Sequence, residues 1–480
     1  MKRATRFMLE RVAHEGGYVW SYLPDLSRRW GEMEAYPTMQ WVQPPGTGTM
    51  GHIFLDAYAA TRDSFYIGAA ESAARALVRG QDEAGGWNYM IDTAGEASLR
   101  RWYDTIGKNG WRLEEFHHYW GNATFDDACT ADCTQFLIRL LAHRRAGWIE
   151  RAAARAIDFV LASQLPSGGW PQRFPRAPGE LAYPSYLTFN DDVAGENIKT
   201  LIMARELLGR ADLDDALRAG MNSYPLAQYR APQAGWALQY DANMEPAAAR
   251  SYEPRALSTH TTQNALRQCL DFYLVTGDRR FLARIPEALT WLESARLPNG
   301  AYPTFVEIGT NRPLCVHRRG SNVVNGAYYA DYDFTNPITH YGQSRPLNLP
   351  PIAGRLEALE AASAAEIEAL RREYIADQTP RFFIAPAANN DLNNPIDAPG
   401  GAEALIGALN DEGYWPTPLV STSHPYTRDG SAAPAPGDYS QTRVGDETDT
   451  SPFITDDPVM GISTGAYIQN MAALIRVAAP

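Results

Sequence analysis

Apolar residues recur at helical spacing along most of the chain. Between Trp148 and Ser163 they fall at Ala152, Ala153, Ala156, Ile157, Val160 and Leu161, one face of a helix. Thr134 to Ala146 supplies a second stretch of the same kind, so the two predict a helical hairpin. Four segments then share one punctuation: a helix-ending Gln or Leu, a short gap, Gly and an aromatic. They run from Gln81 to Gly85-Gly86-Trp87, from Gln164 to Gly168-Gly169-Trp170, from Gln228 to Gly235-Trp236, and from Leu297 to Gly300-Ala301-Tyr302. Their starts lie 83, 64 and 69 residues apart, and each follows a stretch able to hold two helices. The glycines are expected to end the helix with left-handed backbone, and the aromatic to turn inward as a plug. Helical hairpins repeated in this way predict an all-α chain, an (α/α) toroid with long loops, and not a parallel sheet.

The texture divides the chain into three parts. Residues 1–47 hold one helix and a loop bearing Trp, Tyr and Pro, read as an extension packed on the toroid. Residues 48–345 hold the repeats. Residues 346–480 open with a proline-rich hinge, Pro346 to Pro351, and a polar helix, Leu356 to Ile375. A loop-rich stretch, Gln378 to Thr450, leads to an apolar helix at Thr464 to Val477, and this tail is expected to wrap the toroid.

Charge narrows the partners. Forty-three Lys and Arg against 56 Asp and Glu leave a net charge of −13, which argues against nucleic acid, whose phosphates need clustered positive charge. No apolar run approaches the ~18 residues of a membrane span, so no membrane insertion is expected. Cys129 and Cys133 fall at i, i+4 on a helix, and with Cys269 and Cys315 they lack the spacing of a zinc site; they read as small buried residues. Met1-Lys2-Arg3 runs into a charged helix and not an apolar stretch, so no secretory signal is read.

Four polar clusters interrupt the hairpins. They are Asn122 to Thr130, containing Asp126-Asp127; Thr188 to Asp192, containing Asp191-Asp192; Arg250 to Ser258; and Glu307 to Pro313. Singly, each acid pair reads as a helix N-cap, and Arg250 with Glu253 as a helix-surface ion pair. Together, two acid pairs and several arginines without a Ser or His nucleophile motif suit an anionic substrate. Oxygen-rich clusters hold a hard cation such as Ca²⁺, and arginine holds a carboxylate. Neutralising that carboxylate acidifies the adjacent carbon, which is the chemistry of β-elimination on a uronic acid.

Five motifs carry a family resemblance: Thr-Phe-Asp-Asp-Ala-Cys-Thr at 124–130, Gly-Gly-Trp-Pro-Gln at 168–172, Thr-Phe-Asn-Asp-Asp at 188–192, Ala-Arg-Ser-Tyr-Glu-Pro-Arg-Ala-Leu-Ser at 249–258, and Thr-Asn-Arg-Pro-Leu at 310–314. In this order they resemble the pectic acid lyases of polysaccharide lyase family 10, over residues 70 to 345. The resemblance implies an (α/α) toroid cleaving homogalacturonan by calcium-dependent β-elimination to a 4,5-unsaturated uronate. It implies Arg250 as the base that takes the C5 proton and Arg312 as a carboxylate binder. It also implies Asp126 and Asp191 as acids meeting Ca²⁺, with Asp127 and Asp192 beside them. An arginine base needs nearby positive charge and burial, because free guanidinium holds its proton to above ~12. Arg255, Lys199, Trp170 and His260 are further candidates for holding the sugar. The adjacent His117 and His118 face different ways on a helix and read as surface or subsite contacts, not a metal site; His340 is given no role. The chain departs from the family at Asp127-Ala128, where the family has Asn-Gly, and at Glu196-Asn197, where it has a single Asn. Such changes, with the long tail, point to chain-end attack or another uronate polymer.

The expected partner is an acidic polysaccharide or oligosaccharide, and the expected setting is secreted or periplasmic. Two other classes fit parts of the pattern. A non-catalytic sugar-binding toroid would keep the groove without turnover, and a Mg²⁺-dependent terpenoid cyclase would use the Asp-rich motifs for diphosphate.

Overall fold

A computed structural model describes residues 1–319, 327–338, 341–383, 392–393, 401–426 and 449–478; His340 and much of the loop-rich tail lie outside them. In chain order the helices are α1 (Lys2–Phe7), α2 (Thr47–Thr61), α3 (Ser64–Gly80), α4 (Glu96–Trp102), α5 (Cys129–His143), α6 (Gly147–Ala162) and α7 (Val193–Leu208). They continue as α8 (Asp214–Ala227), α9 (Thr259–Thr276), α10 (Ile285–Ser294), α11 (Pro350–Ala361), α12 (Ala364–Gln378), α13 (Gly401–Ala408) and α14 (Thr464–Ala478). The chain forms two compact units. The first holds residues 1–160 with the described parts of 380–426 and 449–478, and the second holds 161–379.

The all-α, α/α expectation is borne out. The pairs α2–α3, α5–α6, α7–α8 and α9–α10 are consecutive helices on short connections, which makes them antiparallel neighbours. Asp63 starts α3 by accepting the Phe65 N–H, and Ser258 starts α9 by accepting that of Thr261. Gly209 and Gly277, both at positive φ, stop α7 and α9. Among the described residues no helix is long and apolar enough to cross a membrane. All four cysteines are buried and free.

The glycine–aromatic segments close the hairpins differently from expectation. The helices end at Gly80, Ala162 and Ala227, and Gln81 and Gln228 leave them in extended backbone. The glycines serve the turn that follows. Gly85 (φ 113°) and Gly168 (φ 94°) press on α6 and α8, where an added Cβ would lie 2.4 Å from Arg155 O and 2.1 Å from Ala219 O. Only glycine meets both demands. The glutamines act as clips. Gln81 donates to Gly85 O and Ala152 O, Gln164 to Gly168 O and Ala216 O, and Gln228 to Ala234 O and Arg284 O. Each thus ties its own loop to the following helix pair. Trp87, Trp170 and Trp236 are buried plugs, and Trp87 and Trp236 donate their indole N–H back to Leu77 O and Tyr224 O.

In the first unit a further copy of the pattern stands in the tail, where Trp415 donates to Leu405 O after Asn410 to Gly413. Helix α14 packs on α2, with Thr464 N–H on Trp20 O. The same unit carries a four-stranded antiparallel sheet of Thr417–Thr422, Phe453–Ser463, Ser21–Tyr22 and Arg29–Trp30. In the second unit five short antiparallel strands join the loops that precede and follow α9. Helical periodicity announced none of these strands. The polar helix expected at Leu356 to Ile375 is two helices. Pro350 and Pro351 open α11 where a hinge was expected, and Ser363 starts α12 with a capping box.

Candidate functional site

The two acid motifs share one backbone. Asp127 (φ 47°) and Ala128 (φ 59°) stand in left-handed conformation before α5, and Asp191 (φ 48°) and Asp192 (φ 53°) do so before α7. Ala128 and Asp192 hold the two N-cap positions and neither makes a side-chain capping bond, so the acids do not satisfy the helix N–H groups as the motif suggests in isolation. Two consecutive left-handed residues without glycine cost roughly 1–2 kcal/mol each. Strain of this kind concentrates at functional positions. Its effect is to send neighbouring carboxylates in different directions.

In the first unit, Asp126 is buried and accepts from the Tyr89 hydroxyl at 2.6 Å, while Asp127 accepts from Gln43 Nε2 at 2.7 Å. The Gln43 nitrogen also donates to Glu32 at 2.8 Å.

In the second unit, Arg250 and Glu253 are buried, 4% and 1% exposed, on a tight turn and not on a helix surface. Glu253 is a hub. Its Oε1 accepts from Arg250 Nη1 at 3.3 Å, Asn190 Nδ2 at 3.1 Å and the Tyr341 hydroxyl at 2.5 Å; its Oε2 accepts the Arg250 backbone N–H at 2.9 Å. Burial, followed by the Glu253 charge, raises the Tyr341 phenol well above its ordinary value, with Arg250 opposing and Asp191 adding to the rise. Asp191 itself is exposed, beside this cluster. Arg250 and the second-motif residues Asn190 and Asp191 therefore meet around Glu253 and Tyr341.

Asp192 takes another course. It turns back toward α7 and α9, accepting from Gln268 at 3.4 Å, and burial together with the Glu196 charge pushes its carboxyl up to about 7, against the pull of Lys199. Lys199 pairs with Glu196 at 3.8 Å. Arg312 is exposed on a strand turn, its guanidinium 3.4 Å from the centre of the Tyr332 ring. Arg255 donates to Pro246 O and faces Glu245 at 3.9 Å. His260 shares a hydrogen bond with Ser258, and burial and then Arg345 depress its imidazole to about 3. Trp170, offered by the sequence as a sugar platform, is fully buried against Gly220 and is a core plug.

Tyr341, Tyr89, Gln43 and Glu32 were not singled out from the sequence, and Glu253 and Asn190 were named without these partners. Glu253 lies three residues from Arg250, the one local signal available. Tyr341 is 88 residues from Glu253 and Gln43 is 84 from Asp127, distances at which no spacing rule operates. Among the described residues no three His, Cys, Asp or Glu side chains converge to hold a metal ion. Asp126 and Asp127 stand in the first unit and Asp191 and Asp192 in the second.

Residues 107–338 match the family described as pectic acid lyase. Among similar solved structures is a mutant of the family 10 polysaccharide lyase from Cellvibrio cellulosa in complex with trigalaturonic acid. It is 18% identical, covering 66% of this chain and 98% of that chain, with a TM-score of 0.41. The family 10 polysaccharide lyase from the same organism is 20% identical, covering 56% and 84%, with a TM-score of 0.37. An unsaturated glucuronyl hydrolase specific for heparin is 10% identical, covering 99% and 94%, with a TM-score of 0.42. No curated protein matches the chain.

Proposed function

Residues 107–338 match the pectic acid lyase family, and we propose that the chain is a polysaccharide lyase that cleaves a uronate polymer of the homogalacturonan type by β-elimination, with Arg250 at the C5 proton. The observation that carries the reading is the buried Arg250–Glu253 pair, into which the second acid motif feeds through Asn190 and beside which Asp191 stands. Glu253 fixes both the backbone and the guanidinium of Arg250, and so sets the direction in which Arg250 faces a substrate. A carboxylate neighbour favours the charged guanidinium. Proton removal by Arg250 therefore needs alkaline solution or a positive charge arriving with the substrate.

Calcium enters this reading as a companion of the substrate. Ca²⁺ takes six to eight oxygens, so the uronate carboxylate and water would complete its shell around an acid such as Asp191, which stands beside the Arg250 cluster. Bound there, it would neutralise the carboxylate and acidify C5. Arg312, on an exposed turn with its guanidinium over Tyr332, is proposed as a carboxylate contact.

Incubating the protein with polygalacturonate and Ca²⁺ is expected to raise the ultraviolet absorbance of a 4,5-unsaturated product. Chelation abolishes the signal, and Arg250→Ala reduces it about 10²- to 10⁴-fold, the usual worth of a general base. A panel of uronate polymers that yields no unsaturated product overturns the proposal.

A further inference from the structure

The segment before α2 lies outside the matched region 107–338, yet it reaches the first acid motif. Gln43 is 2% exposed and every polar atom of its side chain is engaged. Its Oε1 accepts the Trp41 indole N–H at 2.8 Å, which fixes the amide orientation. The two hydrogens on Nε2 then go one each to Glu32 Oε2 and Asp127 Oδ2. Glu32 is itself held in place. It sits in the turn bridged by Trp30 and Glu34, and Arg28 anchors Glu34 at 2.6 Å. Gly31 lets this turn lie on Trp41, where an added Cβ would come within 2.0 Å of the indole.

The second unit contains the same device. Val42 and Gln43 both donate their backbone N–H to Tyr89 O, as Phe189 and Asn190 both donate theirs to Leu238 O. Gln43 thus occupies, before α2, the backbone position that Asn190 occupies before α7. Each passes a side-chain amide hydrogen to a carboxylate of a later loop, Asp127 in one case and Glu253 in the other.

We infer that Gln43 is a positioning residue of the first acid motif, supplied by the N-terminal segment, which fixes the Asp127 carboxylate against Glu32. The inference rests on the lyase reading and extends it to a residue outside the family region. Two carboxylates share that one nitrogen as a donor. Removing it takes one hydrogen bond from each and leaves the Trp41 contact intact.

The test is a double-mutant cycle on kcat/KM for polygalacturonate, with Tm measured alongside. Gln43→Glu keeps the shape and the acceptor for Trp41 but loses both donors, and is expected to lower kcat/KM about 10- to 100-fold, the usual cost of a lost orienting contact. Gln43→Glu combined with Asp127→Asn restores the hydrogen bond with donor and acceptor exchanged. Its activity is expected to exceed the product of the two single effects by about tenfold. A purely structural role predicts multiplicative losses, and such a result at matched Tm overturns the inference. Should Gln43→Glu fail to fold, Glu32→Gln on the half-buried partner replaces it; a several-fold loss in kcat/KM supports the inference, and an unchanged value overturns it. A wild-type protein inactive on every uronate polymer sinks the lyase reading and this inference together. An active wild type with an uncoupled cycle sinks this inference alone.

Discussion

Asn190 donates its side-chain amide to Glu253 at 3.1 Å, across 63 residues of sequence, and Glu253 in turn holds Arg250. A residue that the sequence places beside an acid pair is therefore bound to the arginine turn of a different loop. Three side chains share one carboxylate oxygen, so the orientation of Arg250 depends on a complete hydrogen-bonded set.

Glu253→Gln keeps the shape and removes the charge, leaving Arg250 buried beside a neutral amide. Breaking a buried pair in this way is expected to cost about 3–5 kcal/mol of stability. Activity should fall by at least about 100-fold in the fraction that remains folded. Denaturant titration and product absorbance on the same preparation check the two effects, and a fully active, equally stable variant would refute the assignment of Glu253 as the hub.

Ala128 stands at φ 59° and ψ 16° in a position where its β-carbon is a liability. Ala128→Gly is expected to stabilise the protein by about 1 kcal/mol, the left-handed penalty less the added freedom of the unfolded chain. A rise in the denaturation midpoint at unchanged slope is the confirming result.

Trp170→Ala is expected to destabilise by about 3–5 kcal/mol through the cavity left beside Gly220 and Ile198. KM for polygalacturonate should not change. A raised KM at little cost in stability would instead return this ring to the substrate.

His260, depressed to about 3 from an ordinary 6.5, is neutral in the folded protein where the unfolded chain would bind a proton. The unfolded state thus takes up more protons below pH 6.5. The stability due to this group is whole above that pH and falls as pH drops toward 3, by up to about 1.4 kcal/mol per unit. His260→Gln should flatten that part of the pH–stability curve, measured by denaturation at fixed ionic strength.

The helix pairs, their glycine–aromatic loops and the acid and arginine motifs are determined locally, and the sequence by itself specified them. Periodicity fixes a helix over a few turns, and a positive φ or a close approach fixes a glycine within one loop. The meeting of Arg250 with Asn190 and Tyr341, and of Asp127 with Gln43 and Glu32, depends instead on which loops the tertiary fold lays side by side. The same applies to Trp170, an aromatic that is a plug or a platform according to what covers it. Even the divergence of Asp191 from Asp192 escapes a linear reading, because two left-handed residues in succession rotate neighbouring carboxylates apart. Backbone preference is encoded over a few residues, whereas a hydrogen-bond partner is chosen by packing across the whole unit.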